Sequence, residues 1–137
     1  MEGKNIYLTL LDGLKQNKST MKFEEYPWHN SEIRNIEIDR TKPGKSDKVL
    51  FKIDLVDKGV CTLIFEDVYW VNFNMNFGIE AVECIDCAFI DNESKDVSDL
   101  YKKWNGLINE IELCCYVIKT ISTGSLMKII AKKFILV

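Results

Sequence analysis

The chain has 137 residues, 47% of them hydrophobic, 28% charged and 11% aromatic, which suffices for one buried core and is too apolar for a disordered or low-complexity polymer. Eighteen Lys and Arg against 21 Asp and Glu leave a net charge of −3, which excludes a generally basic, nucleic-acid-seeking surface as a first expectation. No apolar run approaches the ~20 residues that span a bilayer, and the start of the chain lacks a signal peptide's apolar stretch, so a single cytoplasmic domain over 1–137 is expected, with no membrane association.

Taken in order, Asn5 to Lys18 place Ile6, Leu10 and Leu14 on one stripe with Tyr7 and Leu11 beside it, the spacing of an amphipathic N-terminal helix. Lys18 to Glu25 read as a polar connection, and Ile33 to Ile38 as a first strand. Arg40 to Asp47, with Pro43-Gly44 at its centre, is an exposed loop. Val49, Phe51, Ile53 and Leu55 then alternate with more polar neighbours, and Asp57-Lys58-Gly59 supplies a turn with positive φ at Gly59 before Val60 to Phe65. The adjacent acids Glu66-Asp67 read as solvated turn residues at a strand end.

Tyr69, Val71, Phe73, Met75 and Phe77 define the next strand's apolar face, with Asn72, Asn74 and Asn76 opposite, and Ala81 to Ile90 continue as another strand. Val97, Leu100, Tyr101, Trp104 and Ile108 recur at helical spacing, with Asp96 as the expected cap. Ile111 to Ser122 and Leu126 to Val137 flank Thr123-Gly124 as a closing hairpin. Strands that follow one another without intervening helices predict an α+β fold: a mainly antiparallel, curved sheet of about six to seven strands, an N-terminal helix, and one helix before the C-terminal hairpin.

Chemistry-bearing patterns are sparse. The lone His29 cannot build a multi-histidine zinc site; with Asn30 it is expected to hydrogen-bond the backbone where the chain enters the sheet, Trp28 serving as a packed anchor. Cys84 and Cys87 have C-x-x-C spacing, but in a strand they point to opposite faces unless a bulge intervenes. The odd set Cys61, Cys84, Cys87, Cys114 and Cys115 fits reduced thiols packed as small hydrophobes. Glycines are scattered singly, so no phosphate cradle is present, and neither a metal site, a cofactor nor a catalytic residue is expected.

The small net charge is a cancellation. Glu80 to Asp99 hold seven acids and one base, a local −6, whereas Lys119 to the end carry +4 and Arg40 to Lys58 carry +3. An acidic strand, loop and helix start of this kind suits electrostatic docking of a basic partner, with Asp86, Asp91, Glu93, Asp96 and Asp99 as the expected contact residues.

Two short stretches, Trp28-His29-Asn30-Ser31-Glu32-Ile33 and Ser122-Thr123-Gly124-Ser125-Leu126-Met127-Lys128-Ile129-Ile130-Ala131, together with the order of elements, resemble small bacterial immunity proteins of polymorphic or contact-dependent toxin systems and related uncharacterised bacterial domains. The resemblance implies a cytoplasmic, non-catalytic protein that occludes a toxin domain, and it transfers no binding residues. The alternative is a small-ligand-binding domain of metabolic role whose pocket in the curved sheet is lined by Trp70, Asn72, Phe73 and Asn74. Homodimerisation through an edge strand at the C-terminal hairpin, which ends in Ile135-Leu136-Val137, is a further expectation.

Overall fold

Two-residue alternation organises most of the chain after Glu32, and each alternating run becomes a strand with its apolar set on one side. The computed structural model describes residues 21–137. The expected N-terminal helix, Asn5 to Lys18, lies outside them. A short 3-10 turn, Phe23–Glu25, precedes β1 (Glu32–Asp39), β2 (Lys48–Leu55), β3 (Gly59–Asn74) and β4 (Glu83–Asp91). Helix α1 (Lys95–Lys103) follows, and β5 (Cys114–Thr120) and β6 (Leu126–Leu136) end the fold. The strands close into an antiparallel barrel in the order β1-β2-β3-β6-β5-β4. No helix among the described residues is long and apolar enough to cross a membrane.

The fold is therefore α+β and mainly antiparallel, with six strands, and the curved sheet is a closed one. The runs Val60 to Phe65 and Tyr69 to Phe77, expected as two strands, merge into the single strand β3, which ends at Asn74, three residues short of the expected end. The β6 hairpin expected as an edge is not one, since β6 has β3 on one side and β5 on the other. Glu66 and Asp67 are not at a strand end. They face lysines of β6, Glu66 with Lys133 at 3.3 Å and Asp67 with Lys132 at 4.0 Å, so their charges are compensated inside the ladder. Asp67 takes φ +52, and the β3–β6 register shifts between Val68 and Trp70, bending the strand without ending it. The hairpin at Asp57-Lys58-Gly59 forms as expected, with φ +79 at Gly59 and +66 at Asp57.

The barrel interior is filled. Val49, Phe51, Ile53 and Leu55 from β2 meet Leu63 and Phe65 from β3, Ile118 from β5, and Met127, Ile129 and Ala131 from β6. All are essentially inaccessible to water. The polar connection expected over Lys18 to Glu25 contains the plug of one mouth. Phe23 is 1% exposed and lies 5.0 Å from the ring centroids of Trp28, Tyr116 and Phe134. Trp28 donates its indole N–H to the Phe23 carbonyl at 2.6 Å, which pins the turn over the mouth.

A second cluster lies outside the barrel wall. Leu100 of α1 and Ile108 beyond it cover Cys115, Val117 and Ile130, with Tyr69 and Trp70 at the margin. Here β5 is buried on both faces, which explains its nearly unbroken apolar run. Ser94, rather than Asp96, caps α1, its hydroxyl accepting the Val97 N–H at 3.3 Å. Asp96 occupies the first turn and Lys102 and Lys103 the last, the charge order that suits the helix dipole.

Candidate protein-binding surface

The acidic residues are positioned by the passage from β4 into α1. The Asp91 carboxylate accepts the Glu93 N–H at 3.0 Å and tightens the turn that presents Ser94 as cap. One turn of helix then places Asp96 and Asp99 at i and i+3, on neighbouring positions of the helix surface. Asp91, Glu93, Asp96 and Asp99 are thus gathered at one corner. A surface cavity of about 530 Å³ opens there, with Asp91, Glu93, Lys95, Ser98, Tyr101 and Cys114 in its lining. Tyr101 holds the far wall by donating its hydroxyl to the Ile111 carbonyl.

Asp86 is set apart. It lies five residues before Asp91, roughly 16 Å along an extended strand, at a break in the β4–β5 register between Ile85 and Cys87. Its neighbour is His29, whose Nδ1 is 2.9 Å from the Asp86 carbonyl and 3.8 Å from its carboxylate. The corner is also less negative than its sequence. Asp96 pairs with Lys128 of β6 at 3.1 Å, while Glu93 and Asp99 are exposed and have no ion-pair partner among the described residues. Glu83, at the start of β4, accepts hydrogen bonds from the hydroxyls of Thr123 at 2.5 Å and Ser125 at 3.4 Å. That network ties β4 to the β5–β6 turn.

The four residues considered for a ligand pocket do not converge. Phe73 pairs with Met127 and packs against the barrel interior, whereas Trp70 pairs with Ile130 and belongs to the cluster under α1. Asn72 and Asn74 are exposed on the outer face, where their strand partners are Lys128 and Leu126.

His29 behaves as its sequence context suggests, bonding backbone beside a buried Trp28, and Asn30 adopts φ +68 while its N–H reaches the Ile85 carbonyl at 2.9 Å. The register break at Asp86 is the bulge that C-x-x-C pairing would need. Cys84 and Cys87 each adjoin an inward residue, Ile85 or Ala88, so alternation places both on the outer side, where they remain free thiols. Burial pushes the Cys115 thiol above its ordinary pKa, partly offset by a hydrogen bond with the Ser94 side chain. Burial likewise raises Cys61. A raised thiol pKa disfavours the nucleophilic thiolate. Among the described residues no three His, Cys, Asp or Glu side chains converge as a metal site would require.

One surface escaped the sequence. Phe77 (82% exposed), Ile79 (51%) and Val82 (57%) stand out of the β3–β4 connection, with Ile121 exposed in the β5–β6 turn. The only hint was that the apolar alternation runs past Gly78 into residues with no strand to pair with. Comparison with protein-family models, with curated proteins and with solved structures finds no match for this chain.

Proposed function

We propose that the chain is a non-catalytic binding protein of the cytoplasm, an immunity-type inhibitor that occludes a basic toxin domain with the corner formed by Asp91, Glu93, Asp96 and Asp99. The observation that carries this reading is the filled interior. Among the described residues Phe51, Phe65, Ile118, Met127 and Ile129 pack the barrel interior, which favours recognition on the outer wall. There, Asp91 and Glu93 line a surface cavity of about 530 Å³ together with Lys95, and Asp96 and Asp99 follow on the adjoining helix. Asp86 extends the acidic surface along β4 as a secondary contact. The five free cysteines suit a reducing compartment.

The test is stopped-flow association with the basic protein recovered by affinity chromatography on the immobilised chain. Association that slows steeply with added salt is expected, because complementary charge acts mainly on the encounter rate. Reversing Glu93 and Asp99 to lysine should cut the association rate about tenfold or more at low salt and flatten the salt dependence. Unchanged kinetics in that double variant would remove the corner as the docking face.

A further inference from the structure

The turn that ends α1 carries Asn105-Gly106, and of the chain's ten asparagines this is the one followed by glycine. An asparagine carboxamide lies within reach of the backbone nitrogen of the next residue. Glycine leaves that nitrogen unshielded and adopts the backbone angles that ring closure on it requires.

The fold leaves both reacting groups unoccupied. Asn105 and Gly106 are exposed and take φ +51 and +87. The Asn105 backbone N–H donates to the Lys102 carbonyl at 3.0 Å, but its carboxamide makes no hydrogen bond among the described residues. The Gly106 N–H has no acceptor among them either. On each side of it the Trp104 N–H donates to the Leu100 carbonyl and the Leu107 N–H to the Trp104 carbonyl, both at 3.1 Å.

The other asparagines are placed differently. Asn30 is also exposed and left-handed, at φ +68, and precedes the small Ser31. Ser31, however, is buried, and its N–H donates to the Trp28 carbonyl at 2.9 Å, so the nitrogen that would attack is tied down. After Asn92 the Glu93 N–H is held by the Asp91 carboxylate at 3.0 Å, and the Asn76 carboxamide donates to the Thr123 carbonyl at 2.7 Å. Asn35, Asn72 and Asn74 sit in strands and precede Ile36, Phe73 and Met75, whose side chains crowd the nitrogen. Asn5, Asn17 and Asn109 likewise precede the larger Ile6, Lys18 and Glu110.

We propose that Asn105-Gly106 is a self-modification site, at which the folded chain deamidates with water as the only co-reactant, and that the product loosens the end of α1. The Gly106 nitrogen, having given its proton to solvent base, bonds to the Asn105 Cγ. The bond from Cγ to Nδ2 breaks, and the side-chain nitrogen leaves as ammonia after taking up a proton. Water then opens the cyclic imide. Attack at Cγ gives aspartate, and attack at the main-chain carbonyl gives isoaspartate, in which the backbone runs through the former side chain. Nothing is oxidised or reduced: one amide and one water become one carboxylic acid and one ammonia.

Either product sets a carboxylate just beyond the C-terminus of α1, where Lys102 and Lys103 suit the helix dipole and an anion opposes it. Isoaspartate also lengthens the main chain between two anchors on the barrel wall. One is Trp104, whose ring meets Tyr69 edge-on at 5.9 Å, and the other is Ile108, buried in the cluster under α1.

The test is incubation of the full chain for weeks in neutral and in mildly alkaline buffer, followed by peptide mapping with fragmentation that separates aspartate from isoaspartate. A mass gain of about 1 Da at Asn105 is expected, at least ten times faster than at any other asparagine, and faster in the alkaline buffer because the attacking nitrogen must lose its proton. The gain should be larger in heavy-oxygen water. Asn105→Gly, which suits the positive φ, should fold and show no gain in this peptide. In urea, Asn30 should begin to react as Ser31 is released, whereas Asn105 should change little. Conversion of Asn105 more than tenfold slower in the folded chain than in urea would overturn the site, since the turn would then protect it. So would faster conversion at any other asparagine of the folded chain. The isoaspartyl form, isolated by anion exchange through its extra charge, should exchange the amides of Lys102 to Ile108 at least tenfold faster than the parent, with β2 unchanged. Equal exchange in the two forms would overturn the loosening of α1.

Discussion

Removing the Phe23 ring would empty one mouth of the barrel, because Trp28, Tyr116 and Phe134 all contact it at 5.0 Å and Phe65 lies behind at 6.2 Å. Phe23→Ala should therefore cost about 3–5 kcal/mol of stability, the range for a large aromatic side chain lost from a packed core. Trp28→Phe keeps most of the packing and leaves the Phe23 carbonyl without its donor, which should cost about 1–3 kcal/mol. Urea denaturation of both variants checks the pair. A shift of less than 1 kcal/mol for Phe23→Ala would mean that the mouth is closed by something other than this plug. At this scale the sequence was half legible. Trp28 beside His29 reads as an anchor because aromatic residues next to a strand entry pack. Phe23 does not stand out, since its lysine and glutamate neighbours carry no period and only the closure of the barrel creates the space it fills.

Helix α1 is a short element whose order depends on its ends and on one buried face. Ser94 satisfies the Val97 N–H and is itself nearly buried, so Ser94→Ala should destabilise the protein by about 0.5–2 kcal/mol, whereas Ser94→Asp should retain most of the cap. Thermal unfolding of the two variants distinguishes loss of capping from loss of packing. If both fall equally, the contact of Ser94 with Cys115 matters more than the cap. The strands were more legible than the helix start, because alternation of Val49, Phe51, Ile53 and Leu55 has one structural meaning, while Ser94 and Asp96 are both plausible caps. The fusion of two expected strands into β3 was hidden for a different reason. Glu66-Asp67 looks like a turn until Lys132 and Lys133 of β6 are brought across from it, and that pairing is set by tertiary register alone.

For the molecule as a whole, alkaline pH should weaken the fold. Burial pushes the Tyr116 phenol well above its ordinary value of 10.0, the nearby Cys114 and Glu24 adding to the effect. Below pH 10 the phenol is protonated in both folded and unfolded chains and favours neither. Above it the unfolded chain releases the proton while the folded one holds it, so stability falls as pH rises, by at most about 1.4 kcal/mol per unit from this group. Cys115, also raised, adds a loss of the same sign beginning near its ordinary value of 9.0. Urea midpoints at pH 8, 10 and 11 should show this decline, and Tyr116→Phe should be less sensitive to pH above 10 than the parent. An equal decline in both would place the alkaline lability elsewhere. The acidic corner illustrates what composition could and could not convey. The clustering of Asp91, Glu93, Asp96 and Asp99 was readable because they are close in sequence, whereas the neutralising Lys128 and the distance of Asp86 depend on how β4 and β6 sit in the wall.

The position of β6 between β3 and β5 has a consequence for how the chain is made. The β1–β2–β3 meander is complete once Asn74 has been synthesised, yet the long free side of β3 finds its neighbour only when Leu126 to Leu136 arrive. Until then the inward faces of Phe51, Phe65 and Phe73 have no opposite wall. A nascent or shortened chain therefore carries an exposed apolar strand edge from the completion of β3 until Leu126 to Leu136 emerge, which makes the last strand the step that turns an aggregation-prone ribbon into a closed, packed barrel.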